Sequence, residues 1–203
     1  MSTSAYAAIT AYLHAQMTAE QPLFAIVDAA QASKAIFNLL NHASQRHTKK
    51  AALFEGERAQ ELASVAPYLV QLSLAEQALL SQLVEQGWQQ NWAIYFSYPN
   101  RFDNALNKLR LNLPVKSKDE IGLFRFYDPR VFRLYVPSFD AQQLREFFGA
   151  ISQFWLPPET GEPSHGLLGY RLVDQQLEIQ QINPVQNTNY HPLSPGDSHA
   201  GIA

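Results

Sequence analysis

A chain of 203 residues, 46% apolar and 12% aromatic, is long enough to bury one sizeable core and has the composition of a globular protein. Only 16% of the residues are charged, and a formal net charge of -3 with scattered basic residues gives no pull toward polyanions, so nucleic acid is not an expected partner. There is no cysteine for disulfides or thiolate metal sites, no apolar run of the ~18–20 residues that span a bilayer, and no signal-peptide pattern at the start, so a cytoplasmic chain engaging no membrane is expected.

In chain order, Tyr6, Ile9, Leu13 and Met17 recur at helical spacing and predict a helix over 3–18, ending before Pro22. The continuous apolar run LFAIVDA (23–29) predicts a strand buried on both faces with Asp28 at its carboxyl end. Ile36, Leu39 and Leu40 predict a helix over 31–42, and AALFEG (51–56) and SVAPYLVQL (64–72) predict strands, the second at an edge or starting at Pro67. Ser73 and Glu76 form a capping box opening a helix to about Gln86, with Gly87 as its left-handed cap. NWAIYFSY (91–98) predicts a strand, 100–111 a helix, and IGLFRFYD (121–128) a strand that would seat Arg125 among apolar neighbours. A short helix follows from Pro129, and Asp140 caps another that ends at Gly149. This alternation predicts an α/β fold, a mixed sheet flanked by helices. The later strands, SQFWLPP, GLLGYRLV and LEIQQI, lack helices between them and predict a small antiparallel extension at the C-terminus. Residues 1–183 are expected to form a single domain, and the polar, proline-containing stretch 184–203 a tail.

Catalytic signatures are missing. No Walker loop, G-x-G-x-x-G, G-x-S-x-G or H-E-x-x-H occurs, and His42 and His47 do not share a helical face, so neither metal nor cofactor is expected. What stands out is Arg125, followed at once by Asp128 and Arg130. A guanidinium among apolar neighbours needs a carboxylate or carbonyls to compensate its desolvation, and Asp28, at a strand end, is the candidate partner. Asp128 before Pro129 is placed to cap a helix. Arg130, on the first helical turn where a positive charge opposes the dipole, calls for a carboxylate or a ligand.

Taken in order, LFAIVDAA, APYLVQL, LNKLRLNLPV and above all LFRFYDPRV followed by FFG resemble the effector-chaperone (adaptor) family of type VI secretion, first catalogued as a domain of unknown function, over about residues 22–155. The resemblance implies no enzyme activity. It implies a bacterial cytoplasmic adaptor that binds a toxic effector protein and helps load it onto the secretion spike, itself a further potential contact. It also places Asp28, Arg125, Asp128 and Arg130 on the family's motif positions. A helical motif that often reads His-Leu-Arg in that family reads Lys108-Leu109-Arg110 here. Low surface charge and abundant aromatics suit protein–protein interaction, with Tyr127, Phe132, Tyr135, Phe139, Trp155 and Tyr170 as candidate anchors, most of them expected in the core. The competing expectation is a small-molecule enzyme or binder, in which Arg125 and Arg130 clamp an anionic substrate and Asp28 serves as base.

Overall fold

The computed structural model describes residues 2–18, 21–44, 48–73, 77–99, 101–117 and 120–185. The helices are α1 (Ser2–Ala15), α2 (Ser33–Ser44), α3 (Gly56–Glu61), α4 (Gln77–Gly87), α5 (Phe102–Leu111), α6 (Pro129–Tyr135) and α7 (Ala141–Phe148). The strands are β1 (Leu23–Asp28), β2 (Lys50–Ala52), β3 (Pro67–Leu72), β4 (Ala93–Ser97), β5 (Pro114–Ser117), β6 (Glu120–Leu123), β7 (Gln153–Leu156), β8 (Leu167–Val173) and β9 (Gln176–Ile182). Seven strands form one sheet in the order β2-β3-β1-β4-β7-β8-β9, while β5 and β6 pair as a separate hairpin. Every ladder is antiparallel. The fold is α/β with flanking helices, and β8 and β9 are the C-terminal extension of the sheet.

The sheet centre explains the LFAIVD run. β1 pairs with β3 on one side and β4 on the other, and all six of its residues are buried. Phe24 and Ile26 face a layer that includes Leu109, Phe132 and Phe147 from α5, α6 and α7. Leu23, Ala25 and Val27 face the opposite layer, with Leu13, Ile36 and Leu83 from α1, α2 and α4. Apolar side chains on both faces of one strand therefore tie the two helical layers together, each large one contributing about 1.5–3 kcal/mol by burial. Phe147 is the hub of the first layer, with ring centroids of Phe126, Phe132, Phe139 and Phe154 5.5 to 5.7 Å away.

Local signals that involve only neighbouring residues translate directly. Asp140 accepts from the Gln143 amide while the Gln143 side chain accepts from the Asp140 amide, and Gly149 ends α7 at φ 54°. The β8–β9 turn is made by Asp174 and Gln175, at φ 49° and 67°. Three expectations need correction. The strand expected over 51–56 ends at Ala52, and Gly56 already opens α3. Gly87 is the last residue of α4, with no positive φ; a Cβ there would meet the Trp92 Cβ at 2.7 Å, so this glycine answers a close approach and not a left-handed cap. The strand expected over 121–128 stops at Leu123. From Phe124 the chain turns, and the Asp128 amide donates to the Arg125 carbonyl at 3.0 Å. Arg125 is therefore not in a strand. Residues 74–76 of the Ser73–Glu76 capping box and the tail beyond 185 lie outside the described residues.

Candidate functional site

A polar rim forms where the carboxyl end of β1 meets the 124–128 turn and the start of α6. β1 ends at Asp28 because the next three residues make a 3-10 turn, whose amide at Ala30 donates to Asp28 Oδ1 at 3.2 Å. The other carboxylate oxygen accepts from Gln31 Nε2 at 2.8 Å and from Arg125 Nη2 at 3.1 Å. Asp28 is 1% exposed, whereas Arg125 is 46% exposed. Its guanidinium also lies 5.8 Å from the Tyr127 ring centroid. Burial works against the Arg125 charge, but Asp28 and Tyr127 outweigh it, and the guanidinium holds its proton more tightly than an ordinary arginine. The buried Tyr127 hydroxyl is pushed up by burial first and by the Asp28 charge second.

Asp128 sits one turn further on. It caps α6, accepting from the Arg130 amide at 2.9 Å, with Pro129 as the first helical residue. Arg130 then folds back in a two-pronged pair, Nε to Oδ1 at 2.9 Å and Nη2 to Oδ2 at 2.7 Å. Burial would raise the Asp128 carboxyl, but the side-chain and backbone hydrogen bonds from Arg130, with the Arg130 and Arg125 charges, hold it below the usual carboxylate range. The same pairing raises Arg130. This answers the charge placed unfavourably on the first turn, because Arg130 is held by the cap itself.

One residue that sequence reasoning passed over joins the two halves. Gln31 donates to Asp28 through Nε2 and accepts from Arg130 Nη2 at 3.1 Å through Oε1. The result is one connected chain: Arg125, Asp28, Gln31, Arg130, Asp128. The order of donors and acceptors fixes which way the Gln31 amide points. Its spacing of three residues from Asp28, inside a turn opened by a buried carboxylate, was the available signal. Arg133, also unflagged, lies one turn along α6 and donates through Nη1 to the Pro157 carbonyl at 2.7 Å and to Asn91 Oδ1 at 3.3 Å.

The aromatic candidates divide sharply. Tyr127, Phe132, Trp155 and Tyr170 are core residues, as expected of most of the six, which removes these four as partner-surface anchors. Phe139 is partly buried against the core, and Tyr135 is 51% exposed. Beside Tyr135 on α6, Leu134 is 68% exposed. Phe139 also lines a groove of about 470 Å³ with Leu111, Val115, Phe124, Lys108 and Glu146. Burial pushes the Lys108 ammonium down to about 8, with Glu146 opposing.

Among the described residues, no group of three or more histidine, cysteine, aspartate or glutamate side chains is placed to hold a metal ion, and no helix is long and apolar enough to cross a membrane. A family model described as "Domain of unknown function (DUF4123)" matches residues 23–146, more than half of the chain and including Asp28, Arg125, Asp128 and Arg130. No curated protein and no solved structure matches.

Proposed function

The chain belongs to this family, and on that premise we propose that it is a non-enzymatic adaptor of the bacterial cytoplasm, which binds a toxic effector protein and helps load it onto the type VI secretion spike. The observation that carries the reading is the state of the two rim carboxylates. Asp28 and Asp128 are buried and each accepts three hydrogen bonds from neighbouring amide and guanidinium groups. A general base needs a free lone pair within reach of substrate; each of these buried carboxylates gives three of its about four acceptor positions to holding α6 and the 124–128 turn against the end of β1, which leaves little to offer a substrate. Rigid positioning of a short helix with an exposed Leu134 and Tyr135 suits recognition of another protein.

The test is co-expression with the toxin encoded beside this chain's gene, and separately with the neighbouring spike protein. Stoichiometric co-purification of the toxin is expected. A chain that captures neither, while hydrolysing or transferring a small phosphorylated or carboxylated compound, would sink the reading.

A further inference from the structure

α6 presents Arg130, Arg133 and Leu134, spaced i, i+3 and i+4, toward a cleft of about 540 Å³ that is closed on its other side by Asn91 and Glu159. Arg133 is partly buried. Its hydrogen-bond acceptors are neutral, the Pro157 carbonyl and Asn91 Oδ1, and among the described residues no carboxylate forms an ion pair with it. A half-buried guanidinium held only by neutral groups keeps unsatisfied charge and spare N–H donors. Burial lowers its pKa, with Tyr170, Glu159 and Asp128 opposing and the like charge of Arg130 adding to the fall. The rim next to it is polarised the same way. The carboxylates of Asp28 and Asp128 are 1% and 5% exposed, while the guanidiniums they hold, Arg125 and Arg130, are 46% and 56% exposed. The acids lie underneath and the cations outside, so the charges this rim turns to solvent are guanidiniums, on a chain of net charge -3. Glu159, exposed at the cleft wall, is the opposing charge, and it favours the charged form of Arg133 without forming an ion pair with it.

We propose that this cleft is a carboxylate-binding docking site for an acidic segment of the partner protein, in which an aspartate or glutamate side chain pairs with Arg133 and an adjacent apolar side chain covers Leu134. The inference deepens the adaptor reading and rests on it for the partner's identity. Charge complementarity argues for the occupant: a planar guanidinium takes a carboxylate in a fork, and an exposed leucine one position along the helix supplies an apolar contact that shields such a pair from water.

Two arms separate this inference from the reading beneath it. In the first, the neighbouring toxin is titrated against the wild type, Arg133→Gln, Arg133→Lys and Leu134→Ser, at low and high salt, with thermal midpoints as a folding control. Arg133→Gln is expected to weaken binding at least tenfold, Arg133→Lys to recover only part of the loss, and the wild-type affinity to fall with salt. Leu134, being on the surface, gives a variant that folds even where Arg133→Gln does not. In the second arm the arginine side-chain N–H signals of the wild-type protein are followed by NMR during titration with an acetylated Leu-Glu-Leu-Glu-Leu peptide, its all-Gln counterpart, and inorganic phosphate. Shifts at Arg133 with the Glu peptide alone support the site. Full toxin affinity in both Arg133→Gln and Leu134→Ser overturns the inference and leaves the adaptor reading standing. A wild type that binds no toxin overturns the adaptor reading, and the peptide arm then decides the site. Shifts with phosphate and none with the Glu peptide overturn it in favour of a small-anion site.

Discussion

Replacing Asp28 by asparagine changes one oxygen to an amide group, yet the donor order of the rim makes it a severe change. The new side chain can keep its carbonyl toward the Ala30 amide, which donates at 3.2 Å. Its Nδ2 then faces Gln31 Nε2 and Arg125 Nη2, which approach Oδ2 of the native carboxylate at 2.8 and 3.1 Å, so three donors meet with no acceptor. Turning the Gln31 amide over relieves the first clash and creates another, because Oε1 is the atom that accepts from Arg130 Nη2 at 3.1 Å. Loss of the Gln31 bond, with a buried donor left unsatisfied, costs about 1.5–3 kcal/mol. The half-exposed Arg125 adds only about 0.5 kcal/mol after solvent screening. A total of about 2–3 kcal/mol corresponds to a fall of roughly 1 M in the urea midpoint at a slope of about 2 kcal/mol/M. The second-site change Gln31→Glu restores an acceptor toward both the introduced amide and Arg130, so the double variant should regain about half of the loss, a coupling well above additivity. A midpoint shift under about 0.25 M for Asp28→Asn, or a double variant no better than the single, would refute the account of Gln31 as the oriented link.

Other expectations follow from single contacts. Asp128→Asn should destabilise by about 1–2 kcal/mol at neutral pH through the lost two-pronged pair with a half-exposed arginine. Because the Asp128 carboxyl is held below its unfolded value, that stabilisation is complete above the unfolded pKa of about 4 and is lost as pH falls through the folded value. The gap between wild type and Asp128→Asn in urea titrations should therefore close in acid, and a gap that is constant with pH would contradict it. Lys108 behaves oppositely: its folded pKa is pushed down to about 8, so the folded state holds the proton less tightly than the unfolded chain and wild-type stability should rise between about pH 8 and 10. Lys108→Met should abolish that rise. Phe132→Ala, at a fully buried ring 5.0 Å from Phe154 and 5.1 Å from Tyr170, should cost about 3–5 kcal/mol, measurable in the same assay. Gly149→Ala should cost about 1–3 kcal/mol, since it puts a Cβ on a residue at φ 54° and brings that atom to 2.8 Å from Lys108 Cε.

How much of this was legible in the sequence depends on how far apart the deciding residues lie. β1 could be read because burial on both faces leaves a continuous apolar run, and the caps Asp128, Asp140 and Gly149 because each acts on its own neighbours. The stretch FRFYD misled because its alternation matches a strand, while the chain turns at 125–128. Phe126 and Tyr127, consecutive and both buried, have ring centroids 6.0 Å apart, which strand alternation would forbid. Asp128-Pro129 signals the helix start, and the turn that precedes it leaves no separate mark. Gly87 is a local exception: Trp92, only five residues on, donates its amide to the Gly87 carbonyl and packs where a Cβ would stand, an approach that the sequence does not distinguish from a left-handed cap. Arg125 could be matched to Asp28 in advance because a buried carboxylate and an isolated guanidinium are each costly alone, though they stand 97 residues apart. For Gln31 the spacing from Asp28 is the one signal, and it does not show that the side chain also reaches Arg130, 99 residues away; nothing in the sequence marks Arg133 as an arginine without a carboxylate.

The rim connects the central strand of the sheet to the helix that carries Arg133 and Leu134, and this gives the docking site a dependence that can be dissected. β1 is gripped on both faces by the two helical layers, so Asp28 is a fixed point. Through Gln31 and Arg130 it constrains the first turn of α6, and the cleft inherits that constraint. Two kinds of variant should therefore lose partner affinity for different reasons. Leu134→Ser removes a contact and should weaken toxin binding with an unchanged urea midpoint. Asp28→Asn hydrogen-bonds to no residue of the cleft, and losing its charge near Arg130 favours an anion there, so a loss of binding must arise from loosening of α6, and should shrink when Gln31→Glu partly restores the midpoint. If Asp28→Asn lowered stability by the expected amount while toxin affinity stayed at the wild-type value, α6 would be positioned without the rim, and the buried carboxylates would serve stability alone.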